Sequence, residues 1–85
     1  MAKEEYIYGR NPVIEALSEG EGVEKVFLAY GLRGKAVSRI YSLAKKSGTP
    51  VATMDKRKFS QLERDVVPKG SNSQGVLAQA KLIET

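Results

Sequence analysis

The residues of this chain that could do chemistry are cations and amides placed at turns. Arg10 and Asn11 follow Tyr8-Gly9, Arg33 and Lys35 stand in Gly31-Leu32-Arg33-Gly34-Lys35, and Lys69, Asn72 and Gln74 belong to the polar run from Lys69 to Gly75. Either cation type can hold a phosphate, and Arg can also stack on a base. The amides of Asn72 and Gln74, with the hydroxyls of Ser71 and Ser73, add donors and acceptors without net charge, a chemistry that suits reading hydrogen-bonding edges. A loop that merely joins a helix to the last strand accounts for the same run equally well, because loops collect such residues anyway. The cations Lys45, Lys46, Lys56, Arg57 and Lys58 are explained as exposed helix faces. Tyr6, Tyr8, Tyr30 and Tyr41 are fewer than a stacking platform wants, and Tyr41 falls on a buried stripe.

Other chemistries are excluded by composition. With neither cysteine nor histidine, the chain has no disulfide, no thiolate or imidazole metal ligand, and no Cys or Ser-His nucleophile. The acidic residues, Glu63 among them, lie near helix ends or in turns with no pair set beside a nucleophile, so they read as solvated surface and this segment is not expected to be an enzyme. Gly31 to Lys35 matches neither the dinucleotide nor the P-loop glycine pattern. The helix that follows could still hold a phosphate at its N-terminus, although a tight turn explains the stretch as well. Fourteen Lys and Arg against ten Asp and Glu leave a net charge of +4, which favours a polyanionic partner.

The elements that must position these turns follow from periodicity and punctuation. Eighty-five residues support one core and hence a single domain, 1–85. Tyr6-Ile7-Tyr8 reads as a strand closed by Gly9. Asn11 is expected to cap a short helix with Pro12 at its first position, Val13, Ile14 and Leu17 forming its apolar face, and the Gly20 to Gly22 loop beyond Ser18. Val23 to Ala29 starts half-polar and becomes wholly apolar, which suggests a central strand covered on both faces, although a run this short does not by itself exclude a buried helix. From Lys35, Val37, Ile40, Tyr41 and Ala44 repeat with helical spacing, and Lys45, Lys46, Gly48 and Pro50 supply the stop signals. Val51 to Thr53 reads as a strand, Asp55 as the cap of a weakly amphipathic helix with Phe59 and Leu62 inward, and Val66-Val67-Pro68 as its end. Gly75 opens the last strand, Val76 to Lys81, where a missing Cβ permits positive φ or a close approach by another chain. Strands alternating with helices predict an α/β domain, a three-layer α/β/α sandwich with a mostly parallel sheet. No apolar run reaches the roughly 18 residues of a membrane span, and the charged start from Met1 to Glu5 does not open a signal peptide, so a cytoplasmic protein without membrane contact is expected.

Two segments together resemble one family. Tyr8-Gly9-Arg10-Asn11-Pro12-Val13-Ile14-Glu15-Ala16-Leu17 and Asn72-Ser73-Gln74-Gly75-Val76-Leu77-Ala78, with the strand Val23 to Leu28 between them, are similar to the N-terminal substrate-binding domain of SpoU/TrmH-type RNA 2′-O-ribose methyltransferases. The likeness covers nearly the whole chain. It implies a fold like that of ribosomal-protein L30-type domains and RNA as partner, with rRNA ahead of tRNA. It also implies a separate catalytic domain of the same chain that binds S-adenosylmethionine and forms a homodimer. That domain is expected beyond a linker starting near residues 82–85, since the last strand runs into the terminus without a cap or closing helix. No cofactor is expected in this segment. Ser73 departs from the family's usual His. Leu32-Arg33-Gly34-Lys35 stands where kink-turn binders of the L30 type carry an Asn-Glu pair, which argues against that mode of binding.

The expected RNA-binding residues are thus Arg10, Asn11, Arg33, Lys35, Lys69, Asn72 and Gln74. Two other functions compete with this reading. One is an interaction domain that orders the catalytic module without touching RNA, a role that exposed apolar residues would favour. The other is a stand-alone ribosomal or ribonucleoprotein component.

Overall fold

The computed structural model describes residues 5–19 and 22–80. Expectations that fall on Met1 to Glu4, on Gly20, or on Lys81 and the start of a linker lie outside the described residues. Within them the chain runs β1 (Glu5–Tyr8), α1 (Arg10–Ser18), β2 (Val23–Ala29), α2 (Lys35–Ser47), β3 (Val51–Met54), α3 (Lys56–Val66) and β4 (Val76–Ala80). None of these helices is long and apolar enough to cross a membrane.

The strands form one four-stranded sheet in the order β1-β4-β2-β3. β2 and β3 pair in parallel, with Ala29 opposite Met54, whereas β4 is antiparallel to both neighbours, with Leu77 opposite Tyr8 and Phe27. The expectation of a mostly parallel sheet is therefore corrected: one strand pairing is parallel and the other two are antiparallel. Alternation of strands and helices says nothing about the end at which the chain re-enters a sheet. After α3, Val67 turns the backbone extended (φ −102°, ψ 129°), and the segment up to Gly75 brings the chain back to the end where β3 finished. β4 then runs down between β1 and β2, while β1, β2 and β3 all run up.

Side chains alternate across the sheet as the pleat requires. Val26, Leu28, Val76 and Ala78 pack with Val13 and Leu17 of α1 and with Val37, Ile40 and Ala44 of α2. On the opposite face Leu77 packs with Phe59 of α3 and Val67, and half-buried Tyr8, Phe27, Met54, Leu62 and Val66 border them. Two helices thus cover one face and one the other, so the expected layers are present and β2 is a central strand covered on both sides.

Particular side chains differ from expectation. Tyr41 is 44% exposed, because the buried line of α2 runs through Val37, Ile40 and Ala44 and its flank is filled by Leu43 instead. Asn11 is not the cap of α1. Gly9, at φ 97°, takes that place, which leaves Asn11 exposed in the first turn and Pro12 third in the helix. A proline is tolerated there because the first N–H groups of a helix have no partner within it. Asp55 does cap α3, its Oδ1 accepting from Arg57 N at 2.9 Å. Gly48 ends α2 in the left-handed region, as its position after Lys45 and Lys46 implied.

Candidate nucleic-acid interface

Because β1, β2 and β3 run the same way, their C-terminal ends meet at one edge of the sheet, together with the start of β4. The polar loop from Lys69 to Gly75 enters the sheet in the middle of this edge and is stitched to the turns on both sides. Toward β1, Gly9 N donates to Val76 O at 3.1 Å, and Arg10 N donates to Gln74 Oε1 at 3.2 Å. Toward β2, Ala29 N donates to Gly75 O at 3.0 Å. Gly75 has φ 78°, and a Cβ there would lie 3.0 Å from Leu32 Cδ1. Of the alternatives expected of this glycine, positive φ is the one that occurs; the neighbour that crowds it is the Leu32 side chain of the same chain.

The loop itself is held by a buried serine. Ser73 is fully buried; its hydroxyl donates to Glu63 Oε2 of α3 and its Oγ accepts from Gly75 N at 3.3 Å. Glu63 is accordingly not a solvated surface carboxylate but the anchor of the loop. Removing the hydroxyl takes one of two donors from half-buried Glu63, which keeps Ser73 N at 3.4 Å, and takes the acceptor from Gly75 N, a loss of about 1–2 kcal/mol. Ser73→Ala is thus expected to lower stability by about 1–2 kcal/mol in urea unfolding, with Glu63→Gln, which keeps an acceptor oxygen, losing less.

The amides are spent in one direction only. Asn72 Oδ1 accepts from Gln74 N at 2.9 Å, and Gln74 Oε1 accepts from Arg10 N, where it serves as the missing side-chain cap of α1. Both residues are exposed, so each has its NH2 group left to present outward. The mixed donor and acceptor chemistry read from the sequence is thereby tilted toward donors. Arg10 adds a guanidinium whose enclosed Nε has no hydrogen-bond partner. Arg33 and Lys35 are exposed in the turn that contains Leu32, against which Gly75 packs.

Helix ends add to the same field. Each helix starts where a strand finishes at this edge, and none has an acidic residue in its first turn. α1 and α2 begin on Gly9 and Gly34 with no side-chain hydrogen bond of their own. The partial positive charge of the helix N-termini is thus added to that of Arg10, Arg33 and Lys35.

Of the residues expected from sequence, the fold brings Arg10, Asn11 and Gln74 together around the start of α1, with Asn72 bonded to Gln74 and with Arg33 and Lys35 on the neighbouring turn. Lys69 stands apart. It lies at the far end of the loop, in a depression it shares with Glu63, Arg64, Val67 and Pro68. Tyr30, Lys56 and Arg57 are at the edge but were not expected there. Parallel pairing of β2 with β3 puts Met54 beside Ala29, and Tyr30 N donates to Met54 O at 2.8 Å, so the start of α3 adjoins the β2–α2 turn. The sequence offered a clue in Asp55: a cap directly after a strand means that Lys56 and Arg57 begin a helix at the strand's end.

An edge built of cations, outward amide donors and helix N-termini is one that accepts a polyanion. The family model for RNA 2′-O ribose methyltransferase substrate binding matches residues 6–85. The chain belongs to this family. It is an RNA-binding, substrate-binding domain of a 2′-O ribose methyltransferase, and both segments that carried the resemblance are the ones joined here, through Gly9 N to Val76 O and Arg10 N to Gln74 Oε1. No curated protein matches the chain. Among the described residues of this substrate-binding domain, no three His, Cys, Asp or Glu gather to hold a metal ion.

Proposed function

We propose that the domain holds structured RNA by its phosphates along the sheet edge formed by the Gly9–Asn11 turn, the Tyr30–Lys35 turn and the Asn72–Gly75 loop, with Lys69 as an outlying contact. The observation that carries this reading is that the turns set amide donors beside cations: the Asn72 and Gln74 oxygens are engaged inside the protein, by Gln74 N and Arg10 N, and their NH2 groups are left for a ligand. Ribosomal RNA is the preferred substrate class, tRNA the next, and the domain is of the ribosomal-protein L30 type. The chain from residue 1 to 85 acts as one binding domain. Methyl transfer from S-adenosylmethionine takes place on a catalytic module of the same protein, a cytoplasmic homodimer. The cofactor itself does not suit this edge, since its sulfonium and ammonium outweigh its one carboxylate and its net positive charge meets Arg10, Arg33 and Lys35.

An interaction domain that never touches RNA would be expected to show an apolar surface. Among the described residues, the large apolar side chains left exposed are Tyr30, in the turn after β2, and Tyr41, on α2. That favours the RNA reading.

Salt dependence tests it. Contacts to about three phosphates give a log–log slope of roughly −2 to −3. Affinity for an rRNA fragment is expected to fall on the order of 100-fold between about 0.05 M and about 0.3 M salt. A flat titration would end the proposal.

A further inference from the structure

We propose that the depression beside Tyr30 docks one unpaired nucleobase of the RNA, stacked on the Tyr30 ring, with Lys56 against the adjoining phosphate. The inference rests on the RNA-binding reading above and adds to it a site that phosphate contacts alone do not need. Tyr30 is 71% exposed, whereas the tyrosines of β1 are committed to the fold: the Tyr6 ring lies 6.5 Å from that of Phe27, and Tyr8 packs against the cluster around Leu77.

Exposure alone would mean little, since single apolar side chains are common on protein surfaces. Here the ring has surroundings that fit a base. Tyr30, Thr53, Met54, Asp55 and Lys56 line a depression of about 450 Å³, within the range of small-ligand sites, and half-buried Met54 gives it an apolar floor. The backbone under the ring is fixed on both sides, by Tyr30 N to Met54 O at 2.8 Å and by Leu32 N to Ala29 O at 3.3 Å. A ring on an anchored backbone loses little freedom when it is covered. Asp55 Oδ1 faces Arg57 N, which it caps, and Lys56 is the cation at the rim. An aromatic face next to a cation, at the edge that already offers donors to phosphate, matches the two halves of a nucleotide: a π surface and an anion.

The site can be followed directly, because the chain contains no tryptophan and a Tyr30→Trp variant has a single indole at this position. The 85-residue chain is titrated with single-stranded oligoadenylate and with an RNA duplex of equal phosphate count. The indole emission is expected to be quenched saturably by oligoadenylate and little by the duplex, whose bases are already stacked. Tyr30→Ala is expected to weaken oligoadenylate binding roughly tenfold, leaving duplex binding unchanged, while Tyr30→Phe binds both as the parent does. Oligoadenylate that binds Tyr30→Ala undiminished and leaves the indole emission unchanged at saturation would overturn the base site alone. Failure of both RNAs to bind the unsubstituted chain would remove the RNA reading and this inference with it.

Discussion

Replacing Gly75 with alanine is expected to destabilise the domain by about 2 kcal/mol, mostly through the backbone. At φ 78° an L-residue with a Cβ is strained by about 1–2 kcal/mol. The added methyl would also stand 3.0 Å and 3.1 Å from the two Cδ atoms of Leu32, which must move aside at a further cost of roughly 0.5–1 kcal/mol. A domain of this size has only about 0.05–0.15 kcal/mol of stability per residue, so the loss is a sizeable share of the total. Urea unfolding measures it. Leu32→Ala in the same background is expected to return only the smaller, steric part, because trimming a neighbour cannot relieve the backbone. The change also has a functional arm: Leu32 belongs to the turn that presents Arg33, so Gly75→Ala is expected to weaken RNA binding under conditions where the protein is still fully folded. Unaltered stability would mean that the loop does not enter β4 in the conformation described here.

The paired substitution Arg10→Ala with Arg33→Ala is expected to lower RNA affinity on the order of 30-fold near 0.1 M salt and to flatten the salt slope by about 1.5. Each removes one phosphate-facing cation from an edge where no acidic first-turn residue offsets the charge. Position can be separated from net charge with Lys45→Ala and Lys46→Ala together, which also remove two cations, but from the last turn of α2 at the opposite end of the sheet. That control is expected to change affinity less than about threefold, as charges beyond a Debye length of about 10 Å are largely screened. Lys69→Ala is expected to add its own smaller loss independently, because Lys69 shares no partner with Arg10 or Arg33. Equal losses from the α2 pair and the edge pair would mean that overall charge, not this edge, binds the RNA.

How much of this could be read from the sequence depended on whether the information was local. Helix stops such as Gly48 after Lys45 and Lys46, the Asp55 cap and the inward Val37-Ile40-Ala44 line are written within a few residues, and the structure has them. The place of β4 is not local. Nothing in Val76–Ala80 states that it lies between β1 and β2 and runs against both; that follows from where the preceding loop returns the chain. The same holds for the site. Gly75 was legible as a special position because few residues suit it, but its neighbour Leu32 was not. The roles of Ser73 and Gln74 depend on partners contributed by α3 and α1, ten and sixty-four positions away. From composition alone, polar loop residues look equally available to a ligand; the fold reveals which of their atoms are already used. Tyr30, Lys56 and Arg57 were missed for a related reason, since only the register of β2 with β3 puts them at the shared edge.

Backbone amide mapping of the isotope-labelled domain during titration with an rRNA fragment shows whether this sheet edge is the surface that holds RNA. The resonances of Gly9 to Asn11, Tyr30 to Lys35 and Asn72 to Gly75 are expected to move, whereas those of Glu15 to Glu19 and Lys45 to Thr49 stay in place. Shifts confined to the latter two stretches, with the three turns unmoved at saturation, would contradict this expectation.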